Sequence, residues 1–203
     1  IKKNDAKRQW IVYEHPEKKL APYMDGIMTG VTSANTAKLI RLRLGGAKPV
    51  FSVFGQKDYK AGKSPALEEI RYNVFMPVIL GARGLFYWWY PTLQWHNKEK
   101  DILKQRLFSC TKILARIAPA MVSSEKSPAF TSAIKVSGDV RYCFGTLNGV
   151  TYILAGVEKS GKGGTLAFDI PGKMKVETFF NDKSSSHPEF KPGELELFKI
   201  SAK

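Results

Sequence analysis

The sequence has 203 residues, 43% hydrophobic and 25% charged, with 32 lysines and arginines against 18 carboxylates and a formal net charge of +14. These proportions exclude long disordered and fibrous classes, and no apolar run approaches the ~20 residues of a membrane-spanning helix. The basic residues lie in short clusters along the whole chain, such as Lys2-Lys3, Lys7-Arg8 and Lys18-Lys19. They read as solvated surface charge rather than a stripe for nucleic acid, which is usually interleaved with stacking aromatics.

The first residue is Ile1 and no basic, apolar leader follows, which implies a native N-terminus removed by processing or proteolysis. Four nearly continuous apolar runs follow in chain order: Trp10–Tyr13, Gly26–Thr29, Pro49–Phe54 and Gly84–Tyr90. Continuous rather than alternating runs predict parallel strands covered on both faces. Between the second and third, Ser33 can cap a helix through Leu39, Ile40, Leu42 and Leu44 that stops at Gly45. Between the third and fourth, Ser64 is an N-cap with Pro65 in the first helical position, and Glu68 and Glu69 suit the positive end of the dipole. Pro77 should kink or split that helix, because it has no N–H to donate. After the fourth run, Leu103, Leu107, Cys110, Leu114 and Ile117 recur at helical spacing. Alternating strands and helices define an α/β segment with a parallel sheet.

The pattern changes near Pro119, and the domain boundary falls between Val122 and Ser127. Beyond Pro128 the segments are short and alternate. Val140, Tyr142 and Phe144 share a face, as do Leu166, Phe168 and Ile170, and Met174, Val176, Thr178 and Phe180. Leu195 and Leu197 alternate with Glu194 and Glu196. Asn148-Gly149 is a two-residue hairpin signal, and Ser137-Gly138-Asp139, Ser160 to Gly164 and Pro171-Gly172 mark further turns. Six or seven short strands so spaced predict an antiparallel sandwich. Cys110 and Cys143 read as two small buried hydrophobes; no Cys/His spacing suggests zinc, and no metal or cofactor is expected.

Several stretches together resemble the C-terminal region of barrel-type glycoside hydrolases. "NDAKRQWIVYEHPEK" resembles the approach to the fifth barrel strand, "YMDGIMTG" the sixth and "GGAKPVFSVFGQ" the seventh. "EEIRYNVFMPVILGARGLFYWWY" resembles the last helix and eighth strand, and is the most specific. "GVTYILAGVEKSGKGGTLAFDIPG" and "PGELELFKI" resemble the small sandwich that follows many such barrels. The resemblance implies α/β plus all-β architecture: residues 1–121 as the last four strands of a (β/α) TIM-type barrel, and residues 122–203 as an appended β-sandwich. It also implies a carbohydrate substrate, a secreted or periplasmic setting, and an N-terminal half barrel supplied elsewhere in the protein, by self-association or by a second chain.

Active sites of such barrels sit at the C-terminal ends of the strands. Asp25 precedes its strand and so falls on the other face. Glu14 and His15 follow the first strand, Thr29 ends the second, Gln56, Lys57 and Asp58 follow the third, and Trp88, Trp89 and Tyr90 end the fourth, with Trp95 and His96 beyond. Glycosidases use two carboxyl groups, about 5–5.5 Å apart for retention and ~6.5–9.5 Å for inversion. The family's seventh strand often ends in a glutamate nucleophile, yet here it ends in Gly55-Gln56. Glu14 is then the catalytic candidate, or else a solvated glutamate before Pro16. Sugar rings pack their C–H faces on indole, and Trp88 aligns with the tryptophan that floors the sugar subsite in the family. Trp89 and Tyr90 alternate with it, so Trp89 is a ligand contact or core. His15 and Gln56 are candidates to bond sugar hydroxyls. Three functions compete: a glycoside hydrolase, a non-catalytic carbohydrate-binding or scaffold protein of the same architecture, and a binder of nucleic acid or acidic polysaccharide supported by charge alone.

Overall fold

The computed structural model describes residues 11–13, 26–30, 50–54, 64–82, 84–87, 99–123, 134–168, 174–181 and 187–202. Each of the four apolar runs contributes a strand: β1 (Ile11–Tyr13), β2 (Gly26–Gly30), β3 (Val50–Phe54) and β4 (Gly84–Tyr87). All three pairings are parallel, and the strands lie side by side in the order in which the chain makes them, β1-β2-β3-β4. The register runs from Tyr13 opposite Met28, through Met28 opposite Phe51, to Phe51 opposite Gly84. Parallel pairing forces every connection to return the chain to the same starting edge. The C-terminal ends at Tyr13, Gly30, Phe54 and Tyr87 therefore lie at one end of the sheet.

Helix α1 (Leu67–Ile79) falls between β3 and β4 in the chain, and α2 (Lys100–Val122) follows β4. The start of α1 differs from the expectation. The carbonyl of Ala66 accepts the first helical bond, from the Ile70 N–H at 3.1 Å, so Pro65 stands outside the helix rather than in its first position. Pro77 does not split the helix. It sits two residues from the end, so little helix remains beyond the missing donor, and Val74, Phe75 and Met76 before it are buried. Gly81, with φ of 94°, takes the left-handed conformation that closes a helix. Helix α2 continues three residues past Pro119, and its buried stripe of Leu103, Leu107, Cys110 and Ile117 has the expected spacing.

The remaining strands are β5 (Ile134–Val136), β6 (Val140–Leu147), β7 (Val150–Val157), β8 (Gly164–Phe168), β9 (Met174–Thr178), β10 (Glu189–Phe190) and β11 (Leu195–Ala202). They form two antiparallel sheets, β10-β8-β5 and β6-β7-β11-β9. Asn148 and Gly149, with φ of 52° and 73°, join β6 to β7 in the two-residue turn the sequence signals. One apolar core lies between the sheets, built by Ile134, Leu166, Phe168 and Phe190 from the first and Val140, Ile153, Ala155, Val157, Phe198 and Ile200 from the second.

The chain divides into two compact units: Ile1–Pro65 with Leu80–Lys104, and Ala66–Ile79 with Gln105–Lys203. Helix α1 thus belongs with the antiparallel sheets, and it packs on β6, β7 and β11. Every residue of β7 from Thr151 to Val157 is buried, because both faces of its sheet are covered. Odd positions of β7 meet the other sheet; Tyr152, Leu154 and Gly156, with their cross-strand partners Gly145, Leu197 and Leu195, lie on the helix side. Gly145 lets α2 close on this sheet: a Cβ there would overlap the Ala120 carbonyl oxygen and come within 2.8 Å of the Met121 Cα. The alternation expected at the end of the chain is accordingly wrong in one respect. Leu195 and Leu197 are buried under the helices, Phe198 and Ile200 fill the core between the sheets, and Glu196, expected on a polar face, is fully buried.

Candidate functional site

Parallel pairing gathers the four strand ends, and the residues that follow them in the chain are the sequence candidates. Glu14, His15, Gln56, Trp88, Trp89 and Tyr90 all lie outside the described residues, as do Asp25, Lys57, Asp58, Trp95 and His96. Of the strand-end positions, Thr29 is described, and it pairs with Ser52, which pairs with Leu85. The connections leaving β3 and β4 are tied to each other. The Ser64 N–H donates to the Glu99 carboxylate at 2.8 Å, while the Glu99 carbonyl accepts the first bond of α2 from Leu103 at 3.0 Å. Glu99 is the carboxylate that sequence reasoning missed here. The available signal was an acidic residue immediately before a helix, where the dipole favours negative charge.

In the second unit the anchored element is the turn after β9. The Glu196 carboxylate accepts the N–H groups of Phe179 (3.0 Å), Phe180 (2.8 Å) and Leu197 (2.9 Å) on Oε1 and of Asn181 (2.7 Å) on Oε2. Asn181 Nδ2 returns a bond to the Leu195 carbonyl at 2.6 Å. A buried carboxylate is tolerable when its lone pairs are filled by such donors. The turn sets the Phe180 ring 4.9 Å from that of Phe75 and beneath the Arg71 guanidinium, 5.0 Å from the centroid. Helix α1 holds a second loop through Tyr72, whose hydroxyl accepts the Lys159 N–H at 3.2 Å while Lys159 Nζ lies 4.9 Å from its ring centroid.

Burial raises the pKa of the Tyr72 hydroxyl above its ordinary value, the Lys159 N–H opposing, and burial likewise pushes the Cys110 thiol up. Cys110 is buried and Cys143 half-buried, and neither forms a disulfide. Glu177 is held below the ordinary glutamate value, first by its bond from Lys199 at 3.1 Å and then by Lys175. Among the described residues no group of three or more His, Cys, Asp or Glu side chains is placed to hold a metal. No helix among them is long and apolar enough to cross a membrane.

No family model matches the sequence, and no curated protein matches it. The solved structures it is similar to are glycoside hydrolases. A GH30 endoxylanase from Clostridium papyrosolvens C71 is 10% identical, with a TM-score of 0.47 over 98% of this chain and 57% of that one. A family 30 subfamily 8 xylanase from Clostridium acetobutylicum is 11% identical, with a TM-score of 0.43 over 92% and 51%. The alpha-fucosidase of Thermotoga maritima is 10% identical, with a TM-score of 0.38 over 85% and 42%. The chain spans about half the length of these proteins.

Proposed function

We propose that the chain is the C-terminal part of a carbohydrate-active (β/α) barrel, residues 1–121, with an appended β-sandwich, residues 122–203, and that it acts on an oligo- or polysaccharide outside the cytoplasm. The observation that carries the reading is strand order. Four parallel strands lie in chain order with no reversal. A doubly wound sheet reverses its order at a switch point, and ligands bind there; a sheet that never reverses keeps its right-handed crossovers on one face and closes on itself. Each of β1 and β4 pairs with one neighbour among the described strands, so closure draws on further strands of the same protein or of a second chain. Helices α1 and α2, barrel helices by chain order, meet the four-stranded sheet of the sandwich.

On this reading Glu14 is one of the two carboxyl groups of an acid/base pair, and its partner comes from the strands that complete the barrel. Trp88 forms the floor on which a sugar ring packs, Trp89 and Tyr90 flank it, and His15 and Gln56 bond hydroxyls. The test is titration of neutral oligosaccharides against tryptophan fluorescence, together with hydrolysis of chromogenic glycosides by the complete barrel. The expected result is a saturable response lost in Trp88→Ala, and turnover lost in Glu14→Gln. No response to any sugar would refute the reading. A second reading, a non-catalytic carbohydrate-binding or scaffold protein, is favoured by one observation: the third run ends in Gly55-Gln56, where the resemblance expects a carboxylate. Sugar binding without turnover would select it.

A further inference from the structure

Beyond Asp101, helix α2 contains no carboxylate through Val122, yet carries Lys104, Arg106, Lys112 and Arg116. An exposed helix is ordinarily laced with opposite charges four residues apart. Here Lys104, Phe108, Lys112 and Arg116 follow one another at four-residue intervals, which sets neighbours about 6 Å apart along the axis and about 40° apart around it. They form one slanting row on the side away from the buried Leu103, Leu107, Cys110 and Ile117. Phe108 is 54% exposed, and Lys112 and Arg116 are exposed. No carboxylate among the described residues pairs with Lys104, Lys112 or Arg116.

We propose that this row is a docking surface for an acidic polysaccharide, with Lys104, Lys112 and Arg116 meeting uronate carboxylates and the Phe108 ring packing on the C–H face of a sugar between them. Charge complementarity selects a polyanion. The apolar stripe of α2 is already buried in the fold, so the helix cannot lay that stripe into a lipid surface. A single exposed ring is a poor platform for successive bases, which single-strand binders stack one per aromatic. The choice of polysaccharide over other polyanions rests on the carbohydrate reading above. The surface deepens that reading by naming the substrate class.

The experiment is gel retardation of the 203-residue chain in sodium polygalacturonate, with neutral dextran as control. We expect retardation at low salt that is lost at roughly 0.5 M salt, because ionic contacts are screened. Lys112→Glu with Arg116→Glu should weaken it about tenfold or more, and Phe108→Ala by a few fold. The matched charge change at two exposed lysines elsewhere, Lys135→Glu with Lys162→Glu, should weaken it far less, with thermal melting showing all variants folded. Equal weakening by both double variants, no retardation of the unaltered chain, or tighter retention by a single-stranded DNA of equal charge would each overturn the proposal. Loss of retardation with an intact tryptophan response to neutral oligosaccharides sinks the surface alone. Retardation without that response sinks the strand-end site alone.

Discussion

Glu196→Gln isolates the value of a charge placed where the sequence promises a surface residue. The carboxylate receives four backbone N–H groups, three on Oε1 and one on Oε2. A glutamine oxygen in the Oε1 position keeps three donors, each weakened by roughly 0.5–1 kcal/mol when the acceptor is neutral. Its NH2 group then faces the Asn181 N–H, donor against donor, at a site now spanned in 2.7 Å. That contact loses a charge-assisted bond and leaves a part-buried donor unpaired, about 1–3 kcal/mol. Relief of burying a charge returns part of this, leaving a net loss of roughly 2–3 kcal/mol. Glu196→Ala removes every acceptor and should cost more. Urea unfolding should show a midpoint lower by about 1 M for the glutamine variant at unchanged slope. Amide exchange should accelerate at Phe179, Phe180 and Asn181 before it does in β7. A glutamine variant within about 0.5 kcal/mol of the unaltered protein, or an alanine variant no worse than glutamine, would refute the account of Glu196 as the anchor of this turn.

Gly145→Ala should destabilise the second unit by about 1–3 kcal/mol, because the new methyl must push α2 off the sheet at Ala120; a thermal melt checks this. Tyr72→Phe keeps the ring beneath Lys159 and loses the bond to its N–H, about 1 kcal/mol, whereas Tyr72→Ala should cost about 3 kcal/mol. The Tyr72 hydroxyl titrates above its ordinary value in the fold, so its stabilising part is complete below about pH 10 and is lost as pH rises through the higher folded value. Stability measured across that range should fall less in Tyr72→Phe. Glu177 has the opposite sign. Its folded value is depressed by Lys199 and Lys175, so its contribution is present above the ordinary glutamate range and fades as pH falls through the lower folded value. Glu177→Gln should flatten the acid limb of the stability profile by slightly lowering the neutral plateau, with the acid end nearly unchanged.

The class of most described segments was legible in the sequence, because local features encode it; the short strands β5 and β10 were not singled out. Continuous apolar runs marked the four parallel strands, the recurrence of Leu103, Leu107, Cys110 and Ile117 marked α2, and Asn148-Gly149 fixed a hairpin in the correct register. Glu14, His15, Gln56 and the Trp88–Tyr90 run are legible only as residue types following strand ends. Long-range neighbours were not legible. Alternation at Leu195–Leu197 predicts one dry and one wet face, but α1, a helix more than a hundred residues earlier in the chain, covers the face of the leucines, and the face of Glu196, shared with Phe198 and Ile200, meets the other sheet. With both faces dry, a period of two no longer separates inside from outside, and Glu196 is kept by four donors, three of them from a turn some fifteen residues away. Likewise Gly145 looks like an ordinary strand glycine until the end of α2 arrives against it. Local sequence sets the period and the caps; which faces meet is decided only when distant segments compete for the same apolar surface, and only the tertiary structure records that result.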